Sequence, residues 1–174
     1  MSNNLIIAQQ DRDFSIAANV GNWFLNSNGT PLSTLLYEGT NPGAEKVGEI
    51  TFNDDGGASY AGAALANNRW SISANTSYRM LVNIYVPIGN INKTVRLFTS
   101  NFDTVYTKIK TIPSNTWTPI ALQFRIETDT SGYVNVAFSG VPTTGDIIYF
   151  DDVSIIKMNT KNSLGMGMGM SLRF

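Results

Sequence analysis

The sequence predicts an all-β protein built as an antiparallel two-sheet sandwich, and three observations carry that expectation. Apolar and polar residues alternate over several short stretches, which is the period of a strand with one buried face. Clusters of Asn, Gly, Asp, Ser and Pro punctuate those stretches at turn spacing. Finally, 43% hydrophobic and 14% charged residues over 174 positions describe one compact domain with a sizeable core.

Taken in order, Leu5-Ile6-Ile7-Ala8 reads as a short first strand, followed by a polar stretch around Phe14. Gly21-Asn22-Trp23-Phe24-Leu25 leads into turn residues 26–31. Residues 34–37 and 46–52 read as strands separated by the loop chemistry of Gly39-Thr40-Asn41-Pro42-Gly43. Asn53-Asp54-Asp55-Gly56-Gly57 is a further turn, and the small residues of 58–66 read as a closely packed strand. From Trp70 the alternation sharpens. Tyr78, Met80, Val82, Ile84 and Val86 share one face against Arg79, Leu81, Asn83 and Tyr85. Ile120, Leu122, Phe124 and Ile126 oppose Ala121, Gln123, Arg125 and Glu127, and Val134, Val136 and Phe138 oppose Tyr133, Asn135, Ala137 and Ser139. Residues 93–99 and 104–112 follow the same rule, with Val95 and Leu97, then Val105 and Ile109, as their apolar sides. Strands of this kind joined by turns are those of antiparallel sandwiches.

Residues 145–156 form the most apolar strand, with bulky residues on both faces and the pair Asp151-Asp152 inside it. At period two, Ile147, Tyr149, Asp151, Val153 and Ile155 share one side, so the Asp151 carboxylate requires backbone N–H groups, a cation or an Arg. Beyond residue 157 the character changes. A polar linker leads to residues 164–174, where Leu164, Met166, Met168, Met170, Leu172 and Phe174 alternate strictly with Gly, Ser and Arg. Extended, this is an arm suited to strand addition on a neighbouring sheet edge.

Composition narrows the function classes. The chain contains neither Cys nor His, which removes thiolate metal sites, cysteine nucleophiles, the commonest general base and every Ser-His triad. Asp54-Asp55 and Asp151-Asp152 are adjacent pairs that point oppositely in a strand, not a spaced acid and base, so no catalytic residue is expected. The start shows no basic and apolar leader pattern, and no apolar run reaches the ~20 residues that span a bilayer. Charge is segregated: residues 1–60 carry two basic against seven acidic side chains, and residues 61–127 carry seven against two. That asymmetry fits either a polyanion-binding surface or acidic and basic strands side by side. With a net charge of −1 and no nucleic-acid motif, nucleic acid is not the expected partner.

The order of Asp13-Phe14, Trp23, Gly62-Ala63-Ala64-Leu65, Tyr78 through Tyr85-Val86, Trp117-Thr118-Pro119-Ile120 and Phe150-Asp151-Asp152-Val153-Ser154 resembles the non-catalytic carbohydrate-binding modules with a galactose-binding-like jelly roll that are appended to xylanases and other glycanases. The resemblance covers residues 4 to 157. It implies a jelly-roll sandwich over residues 1–157, with 158–174 as a separate assembly arm. It also implies a structural calcium at Asp151, with Asp13 or Asp11 replacing the family's early Glu, because Ser15 occupies that position. For ligand it implies sugar on a sheet face or loop tips, and the set Arg79, Asn83, Tyr85, Gln123 and Arg125 offers a ring and hydrogen-bonding side chains.

Together these features lead us to expect a non-enzymatic accessory protein of a phage-like virion, a head decoration or a tail or fibre component. It would be exposed on the particle surface and docked to other virion proteins or to itself through Met166, Met168, Met170, Leu172 and Phe174. Cell-surface polysaccharide is the expected ligand, and the chain is expected to work as an oligomer or part of an assembly without entering a membrane. The alternative is a free polysaccharide-binding module.

Overall fold

The computed structural model describes Leu5, Ile6, Phe14 and residues 21–28, 34–36, 47–52, 60–70, 72–140 and 142–158. Ten strands form over them: β1 (Phe24–Asn28), β2 (Thr34–Leu36), β3 (Gly48–Thr51), β4 (Tyr60–Ala66), β5 (Thr76–Tyr85), β6 (Thr94–Ser100), β7 (Thr107–Thr111), β8 (Thr118–Ile126), β9 (Tyr133–Phe138) and β10 (Ile147–Lys157). The sole helical element among the described residues is a 3-10 turn at Asn67–Arg69. The strands pair antiparallel in two five-stranded sheets, sheet I in the order β1-β4-β9-β6-β7 and sheet II in the order β2-β3-β10-β5-β8. This is the jelly-roll sandwich that the motif order implied.

The core lies where alternation placed it. From β5 come Tyr78, Met80, Val82 and Ile84, and from β8 Ile120, Leu122, Phe124 and Ile126. Facing them across the sandwich are Leu65 of β4, Val95 and Leu97 of β6, and Val134, Val136 and Phe138 of β9. Trp70 anchors one end through edge-on contacts to Tyr78 at 5.5 Å and Phe124 at 5.9 Å, and Trp23 and Phe14 close on Phe150 at 5.1 and 5.2 Å. Gly48 sits opposite Phe150 in register, and a Cβ there would come within 2.5 Å of that ring. Hydrogen at this position leaves room for the Phe150 ring against β3. Turns beside the strands rely on Asn at positive φ: Asn75 before β5, Asn101 after β6 and Asn115 before β8, at 54°, 61° and 55°.

Two expectations need correction. Strict alternation along β10 placed Val153 and Ile155 with Ile147 and Tyr149. Instead Val153 and Ile155 enter the core beside Ile148 and Phe150, while Ile147 and Tyr149 belong to a separate outer cluster. The cause is a β-bulge. Asp151 pairs with Asn83 and Ser154 with Leu81, so two residues of β10 span one of β5, and Asp152 takes a φ of 52° to absorb the extra unit. The bulge reverses the side-chain parity midway, which is why the strand reads as apolar on both faces. The second concerns β7. Val105 and Ile109 are 61% and 53% exposed rather than core-facing, because β7 is the edge of sheet I and Ile109 sits in register with Arg96 on the outer side. The assembly arm with Met166, Met168, Met170, Leu172 and Phe174 lies outside the described residues.

Candidate functional site

The outer face of sheet II gathers the residues singled out for ligand binding. On β5, Arg79, Leu81, Asn83 and Tyr85 point away from the core. On β8, Pro119, Ala121, Gln123 and Arg125 do the same. The register places Arg79 opposite Gln123, Asn83 opposite Pro119, and Ser77 opposite Arg125. All five predicted ligand residues therefore share one face.

That face has a closed half and an open half. In the closed half Val47, Tyr85 and Tyr149 form a small apolar cluster, with Trp117 and Ile147 packed against it. Tyr85 is only 7% exposed, its ring 5.5 Å from Trp117 and 6.0 Å from Tyr149, and its hydroxyl donates to Asn115 Oδ1 at 3.0 Å. Tyr85 thus backs a wall, and the half-buried Trp117 is the ring at its margin. Trp117 shares the parity of Pro119, Ala121, Gln123 and Arg125, so the alternation that defined β8 carried the signal for it.

The open half has a half-buried floor of Leu81 and Ala121 with exposed Arg79 and Gln123 above it. Asn83 Nδ2 donates to Asp152 Oδ2 at 2.9 Å, and Arg125 is paired with Glu127 at 2.7 Å, so both are held in place. The side chains of Arg79 and Gln123 make no hydrogen bond or ion pair among the described residues. Where β7 of sheet I meets β8, a cleft of about 370 Å³ is lined by Arg79, Thr107, Lys108, Ala121, Leu122 and Gln123. Lys110 crosses the same seam, its Nζ donating to Pro119 O at 3.2 Å. An apolar floor edged by hydrogen-bonding side chains, with an indole just ahead of β8, suits a ligand with alternating apolar faces and hydroxyls, which is the surface of a sugar.

The outer face of sheet I differs. Its central residues are buried outside as well as inside, Ala64 and Ala137 completely and Asn135 to 1% exposure. Asn135 Nδ2 donates to Phe98 O and Ser100 Oγ at 3.2 and 3.0 Å, and the Arg96 guanidinium stacks 4.3 Å over the Phe98 ring. Arg96, Tyr133 and Asn135, which sequence alternation placed on solvent-facing sides, are here part of a packed layer, with Tyr133 edge-on to Phe24 at 5.4 Å.

Of the residues implied for calcium, Asp151 stands on the β10 bulge, and Asp13 and Asp11 lie outside the described residues. Among the described residues no group of three His, Cys, Asp or Glu side chains is placed to hold a metal ion. A carboxylate the sequence reading passed over is better embedded. Asp146, 3% exposed, accepts the backbone N–H groups of Ile91 at 2.8 Å, Asn92 at 3.2 Å and Thr143 at 2.8 Å. Its role is to tie the β5–β6 loop to the β9–β10 loop. The helical content among the described residues includes no helix long and apolar enough to cross a membrane.

No family model and no curated protein matches the sequence. Solved structures do match. The CBM22-1–GH10 modules of Clostridium thermocellum endo-1,4-β-D-xylanase 10B, complexed with xylohexaose, align at a TM-score of 0.65 and 14% identity over 92% of this chain and 29% of that one. TmCBM61 in complex with β-1,4-galactotriose aligns at 0.61 and 14% identity over 90% of this chain and 100% of that one. The enzymatically active domain of bacteriophage CBA120 tailspike protein 4 aligns at 0.60 and 14% identity over 88% of this chain and 22% of that one. This chain thus spans under a third of the xylanase and tailspike chains and all of the isolated module. The solved neighbours are mostly carbohydrate-binding modules, and the fold is theirs.

Proposed function

We propose that this chain is a non-catalytic polysaccharide-binding module that takes glycan on the outer face of sheet II. The observation that carries the reading is the open half of that face: the side chains of Arg79 and Gln123, without a hydrogen-bond or ion-pair partner among the described residues, stand beside the Leu81–Ala121 floor, with Trp117 just ahead of β8 toward the closed half. A fold shared with modules solved as complexes with xylohexaose and galactotriose supports it. The test is affinity gel electrophoresis across soluble polysaccharides with wild type and an Arg79→Ala/Gln123→Ala double variant. Retardation by at least one polymer, lost in the double variant, is the expected result; equal retardation of the two proteins removes this face from the function.

The finer reading is that the module is displayed on a phage-like particle and docked by residues 158–174. The tailspike domain among its structural neighbours favours this, as does the alternating Met/Gly pattern of the arm. Deleting residues 159–174 should abolish incorporation into particles while leaving glycan retardation intact. Normal incorporation without the arm would leave a free binding module.

A further inference from the structure

We propose that the glycan bound on the outer face of sheet II is acidic, with the carboxylate of a uronic acid residue seated between Arg79 and Lys108 in the cleft at the β7–β8 seam. This rests on the sugar-binding reading of that face and names its substrate class. The two cations reach the cleft from different sheets. Arg79 leaves the interior strand β5 on the outer face, opposite Gln123. Lys108 leaves β7 on the side of its register partner Leu97, whose own side chain is in the core. At the sheet edge such a side chain passes over β8, as Lys110, in register with Val95, does to reach Pro119 O.

Among the described residues no carboxylate lines this cleft, whose walls are Arg79, Lys108, Thr107, Ala121, Leu122 and Gln123. Glu127 is taken by Arg125 at 2.7 Å, and Asp152 accepts from Asn83 at 2.9 Å. Neither the Arg79 nor the Lys108 side chain has an ion pair or hydrogen bond among the described residues. Lysines on an exposed edge strand by themselves serve to prevent edge pairing. Arg79 is not on an edge, and it lines one concavity with Lys108, so two positive side chains raise the local potential there and favour an anion. A planar guanidinium matches a carboxylate bidentately, with Lys108 as a second point charge and Gln123 and Thr107 available for hydroxyls. The volume, about 370 Å³, lies at the lower end of the ~300–1,000 Å³ typical of small-molecule sites and suits a single sugar residue.

The experiment compares the full chain's binding to polygalacturonate, to the same polymer fully methyl-esterified, to a neutral xylan and to single-stranded DNA, at low and high salt. Polygalacturonate should bind about tenfold or more tightly than its ester, since one charge-assisted contact is lost on esterification. Raising salt should erode the preference. Arg79→Gln and Lys108→Gln should each erase it, while Lys157→Gln, on β10 opposite Tyr78 and outside the cleft lining, should keep it; the side chains of Arg79 and Lys108 are exposed, so unchanged melting temperatures verify the fold. Equal affinity for the acid and the ester overturns the inference and leaves the glycan reading standing. Binding to none of the polysaccharides overturns both. DNA bound as tightly as polygalacturonate, with loss in the same variants, also overturns it in favour of nucleic acid.

Discussion

Replacing Asp146 by Ala removes the acceptor of three backbone N–H groups from a site that is 3% exposed. The carboxylate joins its own β9–β10 loop to the β5–β6 loop 54–55 residues earlier in the chain. Asn90 reinforces the junction, receiving Ile147 N–H at Oδ1 (3.1 Å) and donating to Ile147 O, and Phe52 N–H reaches Asp146 O at 2.9 Å. Hydrogen bonds to a charged acceptor contribute ~1.5–3 kcal/mol each, but they are not additive and water reaches part of the vacated space. A net loss of about 3 kcal/mol is therefore expected. For a chain of this length that lowers Tm by about 6–12 °C. Asp146→Asn retains shape and one acceptor oxygen but turns an N–H toward a donor, so about half the loss is expected. Urea unfolding followed by tryptophan fluorescence measures this, with an unchanged m-value showing that stability alone has moved. A Tm within 1–2 °C of wild type for Asp146→Ala, on the order of experimental scatter in stability at ~0.5 kcal/mol, would refute the reasoning.

Other outcomes follow from the same packing. Asp152→Val, which forces a β-branched residue to a φ of 52°, should cost about 1–2 kcal/mol in urea denaturation, whereas Asp152→Gly should stay within ~1 kcal/mol of wild type. Gly48→Ala should cost about 1–3 kcal/mol, because its Cβ would lie 2.5 Å from the Phe150 ring; a neutral Tm would mean that β3 and β10 pack less closely. Trp117→Ala should weaken polysaccharide retardation more than Tyr85→Phe, since Trp117 is half-buried at the margin of the face and Tyr85 is 7% exposed behind it.

Much of the sandwich was legible because β5, β8 and β9 each bury one face, and period two then assigns every side chain. The same regularity assembled the ligand set, since Arg79, Asn83 and Tyr85 alternate on β5 as Gln123 and Arg125 do on β8. What failed did so where parity breaks or where pairing is remote. The β10 bulge inserts a residue between Asp151 and Ser154, and nothing in the local composition beyond two successive Asp residues marks it. The exposure of Ile109 follows from β7 being a sheet edge, a property of strand order and not of the strand. The burial of Tyr85 depends on Trp117 and Tyr149, respectively 32 and 64 positions further along the chain. Asp146 was missed because its partners are backbone groups of two loops, which no side-chain pattern reports.

The central claim is that glycan docks on the open half of the outer face of sheet II. Backbone amide chemical shifts of the ¹⁵N-labelled chain, followed during titration with an oligosaccharide of the polymer that retards it, test this directly. Perturbations should cluster on Arg79, Leu81, Ala121, Gln123 and Lys108, with the Trp117 indole N–H among the largest. Perturbations confined to the sheet I face around Phe24, Phe98 and Tyr133, with residues 79–83 and 119–125 unmoved, would contradict it.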